Sequence, residues 1–111
     1  MNAATEFDVG PLTWVKSEID LALERADQAL QQYLASPGDL TQIKFSRNHL
    51  HQVQGALTIV GLDGVVQFVE AVEALLDAVE KQTLAADEAM IDLVHRSLEG
   101  IRIYLDDLII G

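Results

Sequence analysis

Leu50-His51-Gln52-Val53-Gln54-Gly55-Ala56-Leu57-Thr58-Ile59-Val60-Gly61-Leu62-Asp63-Gly64 is the stretch on which the reading of this chain turns. Leu50, Val53, Leu57 and Val60 recur at three- and four-residue steps, the spacing of one apolar face of an α-helix. The helix runs into a break, Gly61-Leu62-Asp63-Gly64, with helical patterns on both sides. The Asp63-Gly64 pair therefore serves as a helix–helix turn and not as a hairpin. One residue inside the helix works against it. Gly55 costs about 1 kcal/mol relative to alanine in a helix interior, so something should need the room it leaves.

Working outward, Ser36-Pro37-Gly38-Asp39 is a second break, with Asp39 placed to cap the next helix, and Thr83–Asp87 is a softer third. The breaks divide the chain into four amphipathic segments. The first helix is expected from about Pro11 to Leu34, with Leu12, Val15, Ile19, Leu23, Ala26, Leu30 and Tyr33 as its apolar stripe. The second is expected from about Leu40 to Val60, with Ile43 joining the face above. The third, about Val65 to Lys81, should bury Val65, Phe68, Val69, Val72, Leu75, Leu76 and Val79. The fourth, about Asp87 to Ile109, should bury Met90, Val94, Ile101, Tyr104, Leu105 and Leu108. Strand signals are absent. Four such helices with short connections predict an all-α, antiparallel up-down four-helix bundle.

The chain has 111 residues, half of them hydrophobic, which suits one domain spanning residues 1–111 with a real core. It contains no cysteine, so neither a disulfide framework nor a thiolate metal site is available. Eighteen acidic and seven basic residues give a net charge of −11, which argues against nucleic acid and anionic membrane surfaces as partners. No apolar run reaches the roughly 20 residues of a membrane helix. Met1–Asp8 lacks the layout of a signal peptide. The expectation is a soluble, cytoplasmic domain. Its abrupt apolar end, Leu108-Ile109-Ile110-Gly111, suggests a piece of a longer protein.

On a helical wheel, Arg47, His51, Gln54 and Thr58 form a polar stripe beside the core face, with Gly55 on the outer side of His51. A helical histidine beside an apolar stripe is usually structural. This one sits on the shoulder of the stripe, where a partner could reach it. The spacing His51-x-x-Gln54-Gly55, with Gly61 six residues on, resembles the histidine phosphotransfer (Hpt) domain. The segment Phe7–Glu24, which includes Pro11-Leu12-Thr13-Trp14-Val15, and the segment Leu50–Gly64 are similar to Hpt-like domains of chemotaxis-type histidine kinases of type IV pilus systems.

The resemblance implies that His51 accepts a phosphoryl group from a kinase catalytic domain and passes it to the aspartate of a response-regulator receiver domain. It also implies a carboxylate on the next helix that orients the ring. Glu73 is the matching candidate and Glu70 a possible second. Gly55 would give access. The domain would be a substrate and relay and not an enzyme by itself. It would need no cofactor or metal of its own, since the receiver brings magnesium. Gln54 departs from the family pattern, which has lysine there. Losing one positioned charge stabiliser can cost on the order of 10²-fold in rate. Arg47, one turn before His51, is a possible phosphate contact that restores some charge. The alternative is a degenerate Hpt-like module that docks a receiver or kinase partner without being phosphorylated. A generic dimerising bundle is a third reading, and the sequence leaves the oligomeric state open.

Other residues carry less. His49 points to another side of the helix and is expected at the surface or periphery. Asp92-x-x-His95 is half of a carboxylate–histidine metal pair, but no second pair exists. No Gly-rich phosphate loop or nucleophile elbow appears. Glu70, Glu73, Asp77 and Glu80 share a helix face that is mostly solvated, with only its edge approaching His51. Trp14 and Leu21, away from the main stripe, are expected to cap the core, the alternative being a small exposed patch for docking.

Overall fold

Where each helix stops is decided by a few backbone devices. Asp39 caps the second helix through its carboxylate, which accepts a hydrogen bond from the Thr41 amide at 3.2 Å. Asp87 does the same for the fourth, accepting from the Met90 amide at 2.8 Å. Gly61 ends the second helix with φ of 84°, a left-handed conformation that glycine enters without steric cost. Its amide donates to Thr58 O at 3.1 Å while the Leu62 amide reaches back to Leu57 O at 3.1 Å, the two bonds of a Schellman cap.

The computed structural model describes residues 9–111; the sequence readings at Met1–Asp8, including Phe7 and Asp8 of the resembling segment, lie outside the described residues. Among the described residues there are four helices: α1 (Val9–Ala35), α2 (Leu40–Val60), α3 (Asp63–Glu80) and α4 (Glu88–Ile110). α3 begins two residues before the expected Val65, because the Schellman cap closes α2 within Gly61 and Leu62. The chain can then rewind at once, with Asp63 supplying negative charge to the first turn.

The helices run antiparallel in sequence order, and side chains fix the register. Ser46, fully buried, donates to Ala26 O at 2.9 Å between α2 and α1. Arg47 near the start of α2 meets Glu80 at the end of α3. Near the start of α1, Lys16 meets Asp106 near the end of α4. Lys16 is almost buried and also bonds Asp20 at 2.7 Å. Burial alone would lower its pKa, but the hydrogen bonds to Asp106 and Asp20 outweigh it and hold the ammonium above its ordinary value.

The core is continuous through all four helices: Leu12, Ile19 and Leu30 meet Ile43, Leu50, Val53 and Leu57, then Val69 and Leu76, then Ile91, Val94 and Leu105. Deleting one such leucine to alanine costs about 2–5 kcal/mol. The elongated bundle measures 51 × 22 × 20 Å. Among the described residues, no helix is long and apolar enough to cross a membrane.

Several expected core residues are not buried. Phe68, Leu75 and Tyr104 are 47%, 38% and 50% exposed. The reason is that α3 and α4 approach each other least of the neighbouring helices, leaving the flanks that carry these side chains without a facing wall. Ile91 and Leu98, absent from the expected set, fill the core instead. Trp14 and Leu21 do not cap the core. They are 87% and 44% exposed, on the outer face of α1.

Candidate functional site

The α2–α3 pair builds a shallow acidic recess around His51. α2 presents His51 one turn after Arg47, and α3 presents Glu70, Glu73 and Asp77 at three- and four-residue steps toward it. Arg47, His51, Glu70, Glu73, Ala74 and Asp77 line a cavity of about 290 Å³. The His51 side chain is 75% exposed, whereas that of Glu73 is only 15% exposed.

His51 Nδ1 lies 3.3 Å from Glu73 Oε1. The approach is close but not aligned as a full hydrogen bond, and that buried oxygen has no other donor among the described residues. Such contacts are often loose in an unliganded site. Burial pushes the Glu73 carboxyl above its usual range. The charge of His51 and its contact with the carboxylate pull the other way without cancelling the effect, and Glu70 adds repulsion. A carboxylate beside Nδ1 favours the tautomer with the proton on Nδ1, leaving the Nε2 lone pair free on an exposed ring. The arrangement is chemically a positioned, accessible nitrogen nucleophile.

The other expected site residues are drawn in, though not all in the expected way. Gln54 Nε2 donates to Glu70 Oε2 at 3.3 Å, which ties the second carboxylate to the residue that replaces the family's lysine. Arg47 lines the recess beside His51. Its guanidinium grips Glu80 at 2.8 and 3.0 Å, one turn beyond Asp77. The acidic face of α3 is thus less solvated than expected, because Glu73 and Glu80 are largely covered. The carboxyl of Asp77 is held below its ordinary range, chiefly by a hydrogen bond from Lys81. Gly55 is exposed, and a Cβ there would meet nothing within 4 Å. The room it leaves faces outward and not into the bundle.

Two other histidines behave differently. His95 is engaged by a carboxylate of α1. Its Nδ1 sits 2.7 Å from Asp27 Oδ1 on α1, clamping α4 to α1. Among the described residues, no group of carboxylates and histidines is arranged to hold a metal. His49 is half-buried between α1 and α2, and its Nδ1 has no hydrogen-bond partner among the described residues. Sequence reasoning missed the Arg47–Glu80 and Asp27–His95 ties, since neither spacing is visible before the register of the helices is known.

A family model for the FimL C-terminal domain matches residues 12–109. Neither a curated protein nor a solved structure matches the chain.

Proposed function

This chain belongs to the FimL C-terminal domain family, and on that premise we propose that it is a histidine phosphotransfer module of a pilus chemosensory pathway, with His51 as its phosphoacceptor. The family is related to pilus chemotaxis, which points to a pilus-associated signalling role. The observation that carries the finer reading is the pairing of an exposed His51 ring with a mostly buried Glu73 carboxylate at Nδ1.

In this reading the Nε2 lone pair attacks the γ-phosphorus of ATP held by a separate kinase catalytic domain. An N–P bond forms and the P–O bond to ADP breaks. Glu73 keeps the Nδ1 proton in place and stabilises the positive charge that develops on the ring. The carboxylate of a receiver-domain aspartate then attacks the same phosphorus, and the N–P bond breaks. Little covalent help is required; positioning and charge decide the rate. The domain is a relay substrate, and the ATP-binding site and the magnesium ion belong to its partners.

A second reading, a docking module that is never phosphorylated, has its own support. Gln54 carries no charge, and the Arg47 guanidinium, although it lines the recess, is engaged by Glu80. Phosphate incorporation from ATP with the cognate kinase domain separates the two. Intact mass of wild type and His51→Gln is compared, with acid lability as the chemical check. Acid-labile phosphate on wild type alone supports the relay. A folded, unlabelled wild type that still binds the receiver, beside an active Hpt domain labelled in parallel, overturns it in favour of docking.

A further inference from the structure

The side of the bundle away from His51 carries an unusual surface. α3 is acidic along its α2 flank, through Glu70, Glu73, Asp77 and Glu80. Its opposite flank, through Gly64, Phe68, Ala71 and Leu75, bears no charge. α4 repeats the pattern. Its α1 flank holds His95, Glu99, Arg102 and Asp106, while Leu93, Ser97, Gly100 and Tyr104, following at four, three and four residues, are uncharged.

These flanks form a groove because α3 and α4 stand apart. Gly64 and Phe68 on one wall and Arg96, Ser97, Gly100 and Tyr104 on the other line a cavity of about 540 Å³, and the Arg96 charge is paired with Asp92 at 2.9 Å. The Phe68 and Tyr104 rings are half exposed above it. Gly64 and Gly100 leave its walls open, since a Cβ at either would meet nothing within 4 Å. Aromatic side chains exposed over a groove with a polar rim are a form that protein interaction sites take.

The charge around the groove selects the occupant. Asp63 at the start of α3 and Asp107 near the end of α4 lie at the same end of the antiparallel pair. Both are exposed, and neither is in an ion pair among the described residues. The whole chain carries −11, so a second copy would bring like charge against like, whereas a cationic partner is drawn in by the field. We propose that the α3–α4 groove is a docking site for an amphipathic helix of a partner protein, with its apolar face against Phe68 and Tyr104 and basic residues beside Asp63 and Asp107. An apolar helix face laid in a groove is an established mode of peptide recognition. This surface is separate from the His51 recess, so docking and phosphoryl chemistry can occur together.

The test uses a fluorescein-labelled, leucine/lysine-patterned amphipathic helical peptide as the probe, with a leucine/glutamate peptide of the same pattern as control. Anisotropy gives the affinity and amide chemical shifts give the location. Gly100→Trp fills the groove, and because open space surrounds that position the bundle should keep its fold. Circular dichroism and Val53 methyl shifts check this. The expected result is binding of the lysine peptide only, with shifts at Phe68, Gly100 and Tyr104. Affinity should fall at least about tenfold in Gly100→Trp and several-fold in Asp63→Asn/Asp107→Asn. Binding that Gly100→Trp leaves unchanged, or shifts confined to the α2–α3 acidic face, would overturn the proposal. So would a concentration-dependent dimer that Gly100→Trp dissolves, because the occupant would then be a second copy.

Discussion

At the scale of single residues, stability and access pull in opposite directions around His51. Gly55 lies mid-helix with open space about it, so alanine there should fit without strain and restore helix propensity. Gly55→Ala is expected to stabilise the domain by about 0.5–1 kcal/mol and, under the relay reading, to slow phosphoryl transfer by crowding the approach to the ring. Urea unfolding and single-turnover transfer check the two halves. A more stable variant with undiminished transfer would mean that the glycine is not there for access. Glu73 offers a parallel case with the sign worked through its ionisation. Burial raises its folded pKa above the ordinary 4.5, so the folded state prefers the protonated form and stability is lost as pH rises through that raised value. Glu73→Gln should therefore melt at or above the wild-type temperature at neutral pH, the difference vanishing below about pH 4.5. The same variant should be phosphorylated more slowly, with the pH dependence of the reaction altered, because an amide holds the Nδ1 proton less firmly. A variant that is both less stable and equally active would show Glu73 to be a structural group.

At the scale of elements, the helices were legible and their contacts were not. Local signals predicted all four: the periodicity of Leu50, Val53 and Leu57, the Asp39 cap, the Gly61 stop and the soft break at Thr83–Asp87. The start of α3 was missed by two residues because the compactness of a Schellman cap is a matter of backbone hydrogen bonds, which Gly61-Leu62-Asp63-Gly64 does not advertise. His51 and Glu73 were legible as a pair only through resemblance; the geometry that brings them to 3.3 Å depends on the α2–α3 register. The Asp27–His95 clamp had no local signature, and it carries a prediction of its own. The Asp27 carboxylate, hydrogen-bonded to Nδ1 and helped by its charge and those of Glu99 and Asp92, holds His95 above its ordinary 6.5 against a smaller effect of burial. The folded state thus binds the proton more tightly. The stabilisation is fully present below about pH 6.5 and is lost as pH rises through the raised folded value. The melting temperature of wild type relative to Asp27→Asn should accordingly be highest in mildly acidic buffer and fall toward alkaline pH. A pH-independent difference would show that the contact acts through a neutral hydrogen bond and not through the imidazolium.

At the scale of the whole molecule, the bundle class followed from four amphipathic segments, but the openness between α3 and α4 did not. Periodicity places Phe68, Leu75 and Tyr104 correctly on apolar flanks of their helices. It cannot say whether a neighbouring helix stands close enough to cover them, and here none does. The same limit applies to Trp14, whose position off the main stripe of α1 fits either a core cap or an exposed surface. Charge, by contrast, is a property of the whole that the sequence states outright. With 18 acidic and 7 basic residues, more than half of the carboxylates have no cation to balance them. Exposed pairs such as Arg96–Asp92 and Arg102–Glu99 contribute little, because water screens them and ordering the long side chains costs entropy. Self-repulsion of the excess carboxylates should outweigh them. Raising sodium chloride from about 50 mM to about 500 mM shortens the Debye length from about 14 Å to about 4 Å and weakens both effects. The dominant one sets the sign. The melting temperature is expected to rise, by about 4–8 °C if screening relieves roughly 1 kcal/mol, and calorimetry at fixed pH reads it directly. A fall would mean that the ties of Lys16 to Asp20 and Asp106 and of Arg47 to Glu80, which sit partly shielded between helices, hold the bundle together more strongly than its net charge pushes it apart.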